Sequence, residues 1–274
     1  MPDHYKSAFF LSKSIIDRQS LLVVGLDTDP VKLPAAVKGD VLLFNREIID
    51  ATKDKCIAYK LNFAFYESMG LEGWKILEET IRLIPSSHFI IADAKRGDIG
   101  NTSEMYAKAI FDHLGCDAVT VSPYMGSDSV KPFFRKNKWV IILALTSNHG
   151  SGDFQMQKLA DGKLLFQHVM EQTSTWGDAG NTMYVVGATH PDELQRIRQQ
   201  FSDHFFLIPG IGAQGGSAED VCRAAINTKG GLLINASRSI LYAGTGPDFA
   251  NKAAAEATRI NTLTQPFLSS VTAD

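Results

Sequence analysis

The chain has 274 residues, 45% hydrophobic and 21% charged, with a formal net charge of -3. That balance excludes a disordered chain and a protein that coats nucleic acid through a global positive field, so an anionic ligand would need a local site. The length suits one α/β barrel, whose core needs neither a disulfide nor a structural metal.

Cys56, Cys116 and Cys222 lie far apart among apolar neighbours, with no CxxC or Cys/His metal spacing. Buried thiols in a reducing compartment are expected. The first 20 residues contain no long apolar run and no small-residue cleavage site. No segment approaches the ~20 apolar residues of a membrane-spanning helix. The expectation is a soluble, cytoplasmic protein with no membrane or nucleic-acid partner.

Taken in chain order, short apolar runs predict strands at 21–26, 56–61, 89–93, 118–122, 139–145, 183–187, 205–208 and 231–235. Such near-continuous runs are expected of parallel strands buried on both faces. Amphipathic stretches separate them. Residues 71–83 carry Trp74, Leu77 and Ile81 near helical period, with Ile84 just beyond. Asn101, followed three residues on by Glu104, reads as the capped start of the next helix. Helices are also predicted at 191–201 and 218–226. The least regular stretch, 147–161, is polar, contains glycine and follows the fifth strand.

Eight strand-then-helix units in about 250 residues predict a (β/α)8 TIM barrel. One domain is expected over 1–274, with an N-terminal helical segment and a C-terminal helix. A doubly wound open sheet is the alternative. It would carry GxGxxG after the first strand, where Val24-Gly-Leu-Asp-Thr-Asp29 supplies none.

Barrel active sites lie at the carboxyl ends of the strands, and polar residues collect there. The first strand leads to Asp27, the second to Lys60 and Asn62, and the third to Asp93, Lys95 and then Asp98. The fifth ends at Thr146 and Ser147. The seventh enters the glycine-rich segment 209–216, and the eighth runs into Ser237-Arg238-Ser239.

Residues two apart on a strand share a face, so Asp93 and Lys95 are expected to project together into the mouth. Lys60 and Asp98 would complete an alternating Lys–Asp array. A structural ion-pair network is the competing reading of these four charges. Segment 209–216 can bring backbone N–H groups close to a ligand, and Arg238 can grip a phosphate with two donors. His88, His113, His168 and His204 lack catalytic or metal partners in the sequence and are expected at the surface or at helix ends. His149 and His190 lie near strand ends. Phe63, Phe65 and Tyr66 are expected to pack.

Asp93-x-Lys95-x-x-Asp98 followed by Ile99-Gly-Asn-Thr102 resembles the signature of the orotidine 5′-phosphate decarboxylases. Asp27, Lys60-x-Asn62, Thr146-Ser147-Asn148, segment 209–216 and Ser237-Arg238-Ser239 follow in the family's order, so the likeness spans nearly the whole chain. The length and the Ala-Lys-Arg-Gly form of the signature resemble the longer bacterial branch. His149 stands where many members carry proline.

The resemblance implies a cofactor-free, metal-free conversion of orotidine 5′-phosphate to UMP by a homodimer. It implies that Lys95 is the cation and proton donor at the reacting carbon, with Asp93 beside the substrate carboxylate. Lys60 and Asp27 would meet the ribose hydroxyls, Ser147 would read the pyrimidine, and Asn62 would line the site. Gln214 and Arg238, with N–H groups near Gly215 and Ser237, would hold the phosphate. Asp98 and Thr102 would reach into the partner's site.

Two rivals remain at this point. One is a Mg²⁺-dependent sugar-phosphate decarboxylase or aldolase on the same barrel, against which Lys60 argues by standing where an acidic metal ligand is needed. The other is a non-catalytic nucleotide-binding protein that kept the fold.

Overall fold

The computed structural model describes residues 5–188, 191–211 and 216–273. Eight parallel strands close into a barrel in sequence order: β1 (Leu22–Gly25), β2 (Ala58–Asn62), β3 (Phe89–Arg96), β4 (Ala118–Val121), β5 (Trp139–Leu145), β6 (Thr182–Val186), β7 (Phe205–Ile208) and β8 (Leu232–Ala236). β8 pairs with β1 and closes the ring, Val23 lying opposite Asn235. The expected barrel is therefore present, and the open sheet is excluded.

Every residue of β1, β4, β6, β7 and β8 is buried. That explains why these strands read as near-continuous apolar runs rather than as alternating ones. Ends differ from the sequence reading by a residue or two for most strands, and β3 runs three residues past its expected end at Asp93.

The helix expected at 71–83 spans Gly70–Leu83, with Leu77 and Ile81 buried and Trp74 left partly exposed. Those expected at 191–201 and 218–226 span Pro191–Gln200 and Ala218–Ala225. Asn101 does not cap its helix. Gly100–Ala107 starts two residues earlier than that cap implies, after Ile99, and Asn101 lies inside the first turn. The side chain of Asp98 instead accepts from the N–H of Ile99 at 2.8 Å, and Ser103 Oγ accepts from the N–H of Asp98 at 3.1 Å. The stretch 147–161 is irregular as expected, apart from a short 3-10 turn at His149–Asp153.

At the amino ends of β4 and β5, Lys6, just ahead of the first helix, Ala8–Arg18, ties down the start of the chain. Lys6 pairs with Asp117 at 2.7 Å, and its carbonyl accepts from Trp139 Nε1 at 2.8 Å. No helix among the described residues is long and apolar enough to cross a membrane.

One irregularity shapes the carboxyl end of β3. Ala92 lies opposite Val119 and Arg96 opposite Val121, so Asp93, Ala94 and Lys95 all face the single residue Thr120. This is a bulge in β3. Lys95 takes φ 47°, in the left-handed region that side chains seldom adopt.

Candidate active site

A cavity of about 340 Å³ opens at the carboxyl ends of the strands, a volume suited to a small organic ligand. Asp27, Lys60, Asp93 and Lys95 line one side of it, and Leu143, Val185 and Leu207 supply apolar surface. Pro209, Gly210, Ser237 and Arg238, which follow β7 and β8, line it as well. The cavity thus has a charged wall, an apolar part and a glycine-containing edge with one arginine.

The charged wall is a chain of ion pairs. Lys60 Nζ lies 2.8 Å from Asp93 Oδ2 and 3.4 Å from Asp27 Oδ1. Lys95 Nζ lies 2.6 Å from the other oxygen of Asp93. Burial alone would drive the Asp93 proton on and the Lys60 proton off. For Asp93, burial is outweighed by Lys60 and Lys95, which hold its carboxyl well below the usual carboxylate range. For Lys60, burial is outweighed by Asp27 and Asp93, which raise its pKa above the usual lysine value.

The two lysines differ in access. Lys60 is 4% exposed and bound by two carboxylates. The side chain of Lys95 is 49% exposed and, among the described residues, its ammonium has Asp93 as acceptor. An ammonium carries three donors, so Lys95 has N–H groups to offer a ligand. Asp93 and Lys95 do converge as the sequence suggested, but through the bulge and the left-handed Lys95 backbone rather than by simple alternation.

Asp27 is held by a buried polar network. The carbonyl of Leu26 accepts from Tyr66 Oη at 2.9 Å, and its N–H donates to the Lys60 carbonyl at 2.8 Å. On the other side, Thr28 Oγ1 donates to Asn45 Oδ1 at 2.6 Å, and Asn45 Nδ2 donates to Tyr66 Oη at 3.2 Å. Tyr66 therefore packs, as expected, and also fixes the strand end.

Asn62 lines the cavity while accepting from the N–H of Ala64 at the start of the helix Phe63–Glu67. Ser147 lines the cavity after β5. Gly187 crosses close behind it: a Cβ there would come within 2.9 Å of the Ser147 backbone, so only glycine fits without displacement. Arg238 projects from the exposed start of the short helix Arg238–Leu241. Asp98 and Thr102 do not line this chain's own cavity. Gln214, Gly215 and His190 lie outside the described residues.

Of the histidines expected at the surface or at helix ends, His88 departs from that expectation. His88 is 2% exposed, with Nε2 2.7 Å from the Lys53 carbonyl, because it sits beneath the amino end of β3. His204 is partly buried between the rings of Tyr184 and Phe201. His113 and His149 are exposed.

Two polar residues at the site escaped the sequence reading. Thr120, 1% exposed, donates from Oγ1 to Asp93 Oδ1 at 3.0 Å and accepts from the N–H of Lys95 at 2.9 Å. Asn235 lines the cavity, 8% exposed, and its Oδ1 has no hydrogen-bond partner among the described residues. Each interrupts an otherwise apolar strand, and that was the available signal.

The sequence matches the Orotidine 5'-phosphate decarboxylase / HUMPS family over residues 20–254. It is 53% identical over 257 residues to an orotidine 5'-phosphate decarboxylase of Porphyromonas gingivalis, covering 90% of this chain and 93% of that protein. Among solved structures, it resembles an OMP decarboxylase of Leishmania donovani with TM-score 0.79 and 39% identity, over 93% of this chain and 99% of that one. It also resembles a UMP synthase of the same organism with TM-score 0.80 and 40% identity, over 92% of this chain but only 56% of the longer protein. The family match over most of the chain and the relative at more than half identity show that the chain belongs to the orotidine 5′-phosphate decarboxylase / HUMPS family.

Proposed function

We propose that this chain decarboxylates orotidine 5′-phosphate to UMP and CO₂, completing a pyrimidine nucleotide. The observation that carries this reading is the Lys95 ammonium, held 2.6 Å from Asp93 at the cavity wall, while Lys60 takes the other carboxylate oxygen.

In the proposed reaction the bond between the ring and its carboxylate breaks, and the electron pair stays on the ring carbon as CO₂ leaves. No attached group absorbs that charge. A pre-placed cation in a partly desolvated site stabilises it, the more so because the cation needs no reorganisation. Lys95 then delivers a proton to the carbon, and its amine is reprotonated from solvent. Asp93 lies beside the leaving carboxylate and keeps Lys95 in place.

Lys60 and Asp27 bind the ribose hydroxyls, Asn62 lines the site and Ser147 reads the pyrimidine. Arg238, with Gln214 and the backbone near Gly215, takes the 5′-phosphate. Binding energy from that non-reacting group helps to organise the charges at the ring.

The proposed unit is a homodimer of one-domain barrels in the cytoplasm, with Asp98 and Thr102 serving the partner's site. Ile99, Met105, Tyr124 and Met125 support the dimer. They are 57%, 59%, 88% and 51% exposed on the segments after β3 and β4, and exposed apolar side chains of this kind suit an interface.

A Mg²⁺-enediolate reaction fits less well, because Asp27 and Asp93 are already bridged by the Lys60 ammonium, whose charge opposes a divalent cation. The test is loss of orotate absorbance on adding orotidine 5′-phosphate, with and without EDTA. Equal loss in both supports the proposal. Loss abolished by EDTA supports the metal reaction, and tight UMP binding without turnover supports a binding protein.

A further inference from the structure

We infer that Thr120 is a positioning residue that sets the Lys95 ammonium against Asp93. The inference rests on the role of Lys95 proposed above and extends it to a residue that touches neither substrate nor solvent.

The bulge creates the need. Three residues of β3 face Thr120 alone, so the regular ladder cannot supply a carbonyl for every N–H in that stretch. A buried backbone donor without an acceptor is costly. The Thr120 hydroxyl fills the gap by accepting from the Lys95 N–H at 2.9 Å. The same oxygen donates its proton to Asp93 Oδ1 at 3.0 Å. That carboxylate oxygen is the one that holds Lys95 Nζ at 2.6 Å.

One hydroxyl thus ties both ends of a closed loop, the backbone of Lys95 and the acceptor of its ammonium. It uses its single donor and one acceptor position in doing so. Threonine suits the task because its branched Cβ restricts rotation about χ1, and at 1% exposure the side chain has little room to turn. The left-handed backbone of Lys95 also needs outside support, since such a conformation persists only where the surroundings enforce it.

Thr120→Val keeps the shape and removes both hydrogen bonds, whereas Thr120→Ser keeps the hydroxyl. Turnover and UMP affinity are measured for both beside wild type and Lys95→Ala, with thermal melts to confirm folding. The expected result is that Thr120→Val lowers kcat by about 10- to 100-fold, the worth of a hydrogen bond to a charged group. UMP, which lacks the carboxylate, should bind within about 3-fold of wild type, and Thr120→Ser should recover most of kcat. If Thr120→Val does not fold, Thr120→Ala replaces it in the comparison.

Wild-type kcat in the variant lacking the hydroxyl overturns the inference. So does a parallel loss of kcat and UMP affinity, or an equal fall in Thr120→Ser. If Lys95→Ala keeps full turnover, the lysine reading fails, and the inference falls with it. If Lys95→Ala is inactive while Thr120→Val is fully active, the inference alone fails.

Discussion

Lys60 Nζ lies 2.8 Å from Asp93 Oδ2, deep in the cavity wall, with 5% and 10% of the two side chains exposed. This pair leaves Asp93 charged in a place where burial disfavours charge. An isolated buried ion would be prohibitive, and even a buried pair is marginal without further hydrogen bonds. Here Asp27, Lys95 and Thr120 supply them. The array costs stability to assemble, and it delivers a pre-oriented Lys95.

The pair should register in stability against pH. An unfolded aspartate titrates near about 3.9, and the folded Asp93 lies well below the usual range because Lys60 and Lys95 outweigh burial. Its contribution is therefore whole above about pH 4 and is lost as the pH falls from there toward the folded value. Wild type should be more stable than Asp93→Asn at pH 7. The gap should shrink by about 1.4 kcal/mol for each pH unit below about 4. Denaturant melts at pH 7 and pH 3 measure it, and a constant gap contradicts the depressed pKa.

Arg238 lines the same cavity as Lys60 and Lys95, together with Pro209 and Gly210. Arg238→Ala should weaken UMP binding by about 10- to 100-fold, as loss of a charge-assisted grip on phosphate implies. Uridine should be nearly unaffected. Calorimetric titration with both ligands separates the cases, and equal weakening of the two would place the phosphate elsewhere.

Asp98 and Thr102 are absent from their own chain's cavity wall, which sets up a complementation experiment. Lys95→Ala and Asp98→Ala proteins should each be nearly inactive. Mixed so that subunits exchange freely, half the dimers should be hybrids, and each hybrid should have one intact site of two. Recovery should approach about one quarter of wild-type turnover. No recovery, with exchange demonstrated by mass spectrometry, would remove Asp98 from the partner's site.

Much of this architecture was legible in the sequence because parallel barrel strands are buried on both faces and therefore read as plain apolar runs. Lys60, Asp93 and Lys95 were legible as a group because strand ends in such a barrel point to one rim. The way in which Asp93 and Lys95 meet was not legible. It depends on the register of β3 against β4, which places Thr120 opposite three residues, and no local pattern encodes a cross-strand offset. The network of Thr28, Asn45 and Tyr66 was hidden for a similar reason, since its members are adjacent only after folding. The helix at Gly100–Ala107 began early because Asp98 and Ser103 bond around its start, a competition that the spacing of Asn101 and Glu104 does not reveal.

The most direct measurement of the central claim is single-turnover decarboxylation of orotidine 5′-phosphate by Lys95→Ala, followed by orotate absorbance, with UMP affinity determined on the same preparation. Loss of one group that both stabilises charge and donates the proton should lower the rate by about 10⁴-fold or more, while the variant still folds and binds UMP. Turnover near that of wild type would contradict the account.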